Sequence, residues 1–173
     1  MSTIHIVVFF AAIATLAPNP TLAQKGPVDT GPGTLAAARK YLEGRWSLLS
    51  FEIAAPGEQR VNIKGAGTLT YDGFGNLDIE IRVDQPTADV LRAAGIPTTD
   101  GVFSTKGRTV VDMQARTLTY IVQGQPPRGV AAGPLALNRP RHWEVEGTVL
   151  TLTTKSDDGR PTSVARWQKG RSP

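Results

Sequence analysis

The stretch "YLEGRWSLLSFE" (Tyr41–Glu52) joins two hydrophobic patterns at a single glycine. Upstream, "TLAAARKYLE" reads as a short helix. Thr34 can cap it, and Leu35, Ala38 and Leu42 recur at spacings of three and four on one face. Gly44 stops the helix and lets the chain turn sharply without a Cβ clash. From Arg45 onward the period is two, the signature of a strand. Trp46 therefore stands at the mouth of the first strand. An aromatic side chain buries about 150–250 Å², so one Trp can fill the floor of a small barrel.

The period of two persists downstream. In "LDIEIRVD", Leu77, Ile79, Ile81 and Val83 point one way and the charged residues the other. "TLTYIVQ" puts Leu118, Tyr120 and Val122 on one face. "HWEVE" sets Trp143 and Val145 against His142, Glu144 and Glu146, and "VLTLTTK" sets Leu150 and Leu152 against threonines. "GTLTYD" and "SVARWQ" fit the same template. Tight-turn segments separate these runs: Asp72–Asn76, Met113–Thr117, Glu146–Thr148 and Asp157–Pro161. Roughly eight short strands joined in this way predict an all-β, antiparallel sandwich or barrel. Two segments interrupt the meander. Pro86–Gly95 reads as a short inserted helix with Thr87 as cap and Asp89 in its first turn. Gly124–Pro140 is too rich in Gly and Pro for a central strand and is expected to form a long loop gating the open end.

"LEGRWSLLSFE" followed by "GAGTLTYDGFGNLDIEI" resembles the bacterial lipocalin-like domain family, whose members begin Leu-x-Gly-x-Trp-x-Leu-x-Ser. The likeness covers most of Tyr41 to Gln168. It departs in the long Pro/Gly loop and in Arg45, where the family often has Thr. The resemblance implies a lipocalin-like antiparallel β-barrel, closed at one end by the segment before the Gly-x-Trp. In the wider lipocalin group a late-strand Arg lies across the Trp, and the matching position here is Arg166. The structural set is then Gly44, Trp46 and Arg166. The alternative is a solvated Arg166, with Trp167 as the packing residue.

The chain has 173 residues, enough for one domain with a sizeable core. Ile6–Ala17 is apolar, and Thr21-Leu22-Ala23 offers small residues where a signal peptidase cuts. Residues 1–23 are expected to be a signal peptide, 24–33 a disordered leader, and 34–170 the barrel domain. The expected location is periplasmic or secreted. After Ala23 no run is long and apolar enough for a membrane-spanning helix. A membrane anchor is the alternative reading of the apolar start, though the run is short for a span. There is no cysteine, which excludes disulfides and thiolate chemistry. The net charge of +4 is scattered, and the signatures of nucleic-acid-binding modules are missing, so no nucleic-acid partner is expected.

Of the chain's 2 histidines, His5 leaves with the signal and His142 remains, so a multi-histidine metal site is excluded. "KSDDGRP" (Lys155–Pro161) has adjacent acids but lacks the alternating ligands of a calcium loop. No nucleophile elbow or phosphate loop appears, so no catalytic residue, metal or cofactor is expected and an enzyme is unsupported. A barrel of about eight strands is either filled by side chains or holds one small ligand. The expected wall is Tyr71, Ile79, Ile81, Tyr120, Val122, Trp143, Leu150 and Leu152. The leading function is binding of a small, largely apolar molecule. The alternatives are a heme-binding or small-molecule-converting barrel using His142, and a solid core with no ligand. By parity with Trp143, His142 faces away from an apolar interior.

Overall fold

The computed structural model describes residues 33–54, 60–63, 65–93, 96, 98–122 and 137–170. The expected signal peptide, the leader up to residue 32 and most of the expected gating loop lie outside the described residues.

The elements in chain order are α1 (Leu35–Leu42), β1 (Gly44–Ala54), β2 (Arg60–Ile63), β3 (Gly65–Tyr71), β4 (Asn76–Val83), α2 (Gln85–Ala93), β5 (Val102–Asp112), β6 (Thr117–Val122), β7 (Arg141–Glu146), β8 (Val149–Lys155) and β9 (Pro161–Lys169). Every strand pairing is antiparallel, and β1 pairs with β9 as well as β3, so the sheet closes on itself. Strands β2 and β3 both pair with β1 and together fill one place in the ring, with the register slipping by one residue between them. The result is a closed eight-strand barrel with two short helices. No helix among the described residues is long and apolar enough to cross a membrane.

One rim is built around the Gly-x-Trp. The Thr34 hydroxyl accepts from Ala37 N at 3.2 Å, capping α1 as its sequence predicts. Gly44 takes φ +117°, a backbone angle that side-chain-bearing residues rarely adopt, and this turns the helix into β1. Trp46 is then fully buried, and its Nε1 donates to Leu42 O at 2.8 Å. That carbonyl belongs to the last turn of α1, where no helical partner exists for it. Tyr41 Oη donates to Gly147 O at 2.9 Å, tying the helix to the β7–β8 turn.

The cation at this rim is Lys169, not Arg166. Trp46 is in register with Lys169, whereas Arg166 pairs with Ser50. Side chains alternate along β9, so the buried Trp167 shares one face with the half-buried Lys169, and Arg166 stands exposed on the other. Lys169 Nζ lies 4.6 Å from the Tyr41 ring centroid and 5.2 Å from that of Trp46, and it donates to Tyr41 O. A cation at a helix C-terminus is also favoured by the helix dipole.

Helix α2 closes over the other end. It begins one residue before Pro86 and is capped by Asp84, whose Oδ1 accepts from Thr87 N at 3.0 Å, so Thr87 is not the cap. Proline is tolerated in the first turn, where its missing N–H has no partner to lose. Asp89 falls beyond that first turn and pairs with Arg92. Ala88 and Leu91 bury the inner face of the helix.

Candidate functional site

The apolar faces of the strands meet inside the barrel but do not fill it. An open space of about 80 Å³ remains between the barrel wall and α2. Ile79, Ile81, Tyr120 and Leu152 line it, as their alternation predicts. Tyr71 and Leu150 are buried in the core without lining the space, and Val122 is half-buried away from it. Trp143 lies elsewhere. It lines a larger, more open groove of about 350 Å³ beside α1 and β7, with Tyr41, Leu42, Met113 and Val145. The α1 rim occupies the stretch of β7 that alternation alone assigns to a ligand wall.

The remaining lining side chains come from several other elements. Phe51 on β1 and Ala165 on β9 face each other across one strand pair. Leu91 and Ile96 descend from α2 and its exit, and Phe103 stands opposite Ile81. Leu137 covers the side where β7 begins. Thr154 and Ser163 add hydroxyls, with Ser163 Oγ donating to Thr154 Oγ1 at 3.0 Å, and Trp167 completes the wall.

Arg141 is the charged residue among the described lining side chains. It is only 8% exposed. Its Nη1 donates to Leu137 O at 2.6 Å and to Arg139 O at 2.9 Å. Its guanidinium carbon lies 4.4 Å from the centroid of the Tyr120 ring, a cation–π contact of roughly 0.5–2 kcal/mol by the usual range. Tyr120 Oη in turn shares a 2.9 Å hydrogen bond with Tyr71 Oη. Burial pushes both phenols up from their ordinary range, Tyr71 well above it, so each stays neutral near pH 7. Burial also lowers Arg141 from its usual value, but a guanidinium keeps its proton in proteins. Among the described residues, the positive charge of Arg141 thus lies beside the neutral phenol pair of Tyr120 and Tyr71.

Local pairing explains why this site sits where it does. Strands β6 and β7 are joined only by Thr117↔His142 and Leu118↔Arg141. Beyond Leu118, β6 has no partner on β7, and Tyr120 and Arg141 flank the place where the two strands part. The sequence reading missed Arg141 as a site residue. The signal was parity, because Arg141 shares a strand face with Trp143 and Val145. The same parity turns His142 away from the cavity.

The acidic turn before β9 has its own explanation. Asp158 accepts from Ser156 Oγ and from Arg160, and these bonds hold its carboxyl down to about 2. Asp158 therefore serves the hairpin turn, while Asp157 accepts from Arg139 Nη2 at 3.1 Å.

No family model matches the chain, and no curated protein matches it. Among solved structures, a DUF4847 family protein from Bacteroides vulgatus is similar at a TM-score of 0.43 and 12% identity, over 79% of this chain and 99% of that one. The barrel assignment rests on the strand pairing of this chain itself.

Proposed function

We propose that this protein is an exported lipocalin-like barrel that binds a small, largely apolar molecule in the space between the barrel wall and α2. The observation that carries the reading is an apolar cavity with a buried, positioned polar group, Arg141, in its wall. Binding pockets combine such linings with a few placed polar groups. The family resemblance of the Leu-x-Gly-x-Trp-x-Leu-x-Ser start supports the same reading, and the apolar run at Ile6–Ala17 supports export.

Size limits the ligand. A cavity of about 150 Å³ takes up benzene, and this one is about half as large. It suits a group of a few heavy atoms, and a longer molecule has to displace Leu137 or Phe51 or leave part of itself outside. Heme is poorly supported, because His142 is the imidazole available after export and its strand face is opposite that of Arg141.

Native mass spectrometry of the protein purified from its source tests the binding reading. A retained small molecule is expected. Protein that carries none, and that takes up no short-chain alkanol saturably, contradicts it. N-terminal sequencing of the same material tests export, with Gln24 expected first and Met1 the contradicting result.

A further inference from the structure

We propose that Ala165 sets the size limit of the bound molecule, whose apolar part lies over it in the row between Leu152 and Phe51. This inference rests on the cavity being a binding site. Strand register places the residue. On β9 the inward side chains include Ser163, Ala165 and Trp167, and all three line the space. Trp167 stands in a row with Leu150 on β8 and Leu48 on β1, and this row is packed, with Trp167 and Leu150 buried. In the next row Ala165 pairs with Leu152 on one side and Phe51 on the other, and these two line the space as well. Ala165 faces inward and is nonetheless only half-buried, as a small side chain beside unfilled space has to be.

Ala165 is the smallest side chain among the described lining residues. The neighbouring strands and α2 bring large ones, such as Ile79, Ile81, Leu91 and Phe103. Alanine is a weak choice for a strand, because β-branched and aromatic residues fit a pleated surface better and a larger side chain would bury more apolar area. What alanine supplies at this position is room. Protein interiors are otherwise close-packed, so an open space of about 80 Å³ beside this residue owes its size to it. A bulkier side chain here enters the space directly and leaves the outward row of Thr153, Val164 and Glu52 untouched.

The test titrates 1-butanol and 1-hexanol by calorimetry into the unaltered protein, Ala165→Val, Ala165→Leu and Val164→Ile. Each buried methylene is worth about fourfold in affinity, so Ala165→Val, which takes the room of two carbons, should weaken the alkanols by about tenfold, and Ala165→Leu by more. Val164→Ile adds its carbon on the outer face and should bind as the unaltered protein does. Without ligand, Ala165→Val should melt no lower than the unaltered protein, because its methyl groups enter open space. A melting temperature several degrees lower would mean that the position is already packed, and overturns the proposal. Undiminished binding by Ala165→Val and Ala165→Leu overturns the role of Ala165 and leaves the cavity reading intact. Absence of saturable binding of either alkanol to the unaltered protein overturns both.

Discussion

The two ends of this barrel solve opposite problems with the same kinds of residue. At the α1 end an aromatic ring, a cation and a tyrosine are used up internally. Trp46 donates to Leu42 O, Lys169 to Tyr41 O, and Tyr41 to Gly147 O. Toward α2 another tryptophan, another cation and another tyrosine surround an open space, and the Trp167 donor has no acceptor. The first set closes the ring by joining helix, first strand and last strand. The second is held in place around a gap. Trp143 Nε1, along the α1 groove, is likewise buried without a hydrogen-bond partner among the described residues, so the contrast between the ends lies in the Trp46, Lys169 and Tyr41 ties and not in leftover donors alone.

The largest effect expected from this contrast is at Trp46. Trp46→Ala should cost about 3–5 kcal/mol in urea unfolding, as large-to-small core changes do. A loss below about 1 kcal/mol would break the claim that this end closes the barrel. Next comes the phenol pair. Tyr71→Phe removes one half of a buried hydrogen bond and should cost about 1–3 kcal/mol, part of it recovered in Tyr71→Phe/Tyr120→Phe. A double variant with fully additive losses would show that the hydroxyls do not interact.

The same pair predicts a pH dependence. Burial raises both phenols above their unfolded value of about 10, so at alkaline pH the unfolded chain loses these protons first. Their contribution is complete below that pH and is lost as pH rises through the folded values. The wild type should therefore lose stability above about pH 10 more steeply than the double Phe variant. Parallel profiles would contradict it. The smallest effect separates two cations of β9. Lys169→Met should cost about 1 kcal/mol from its ring and helix-end contacts. Arg166→Ala, at an exposed position, should stay within about 0.5 kcal/mol. A reversal of that order would restore Arg166 to the Trp46 ring.

The closed end was legible because its determinants are local. A capped helix, a glycine with positive φ and a tryptophan two residues later lie within one short stretch. Strand β4 was equally plain, with Leu77, Ile79 and Ile81 buried in alternation. Strand β5 was not, because its inner face carries Thr105, Gly107 and Thr109 while Val110 stands half exposed outside. The mixture hides the period of two. The wall of the cavity was half legible for a different reason. Alternation tells which face a residue takes but not its height along the barrel. Trp143 has the interior parity yet sits beside α1, while Arg141, two residues earlier on the same face, reaches the cavity. Arg166 came from the lipocalin resemblance, and only the register with β1 sets Lys169 opposite Trp46.

On the proposed reading the two ends differ in kind: the Trp46 ties close the barrel floor, and the space beside α2 takes the ligand. Titrating 1-hexanol into the ¹⁵N-labelled protein and following amide shifts tests it directly, whatever the polar end of the natural ligand. Saturable shifts should appear at Ile79, Ile81, Tyr120, Leu152 and Trp167, with Leu42, Trp46 and Leu69 unmoved. Shifts centred on Trp143 and the α1 groove, or no saturable shift at all, would contradict it.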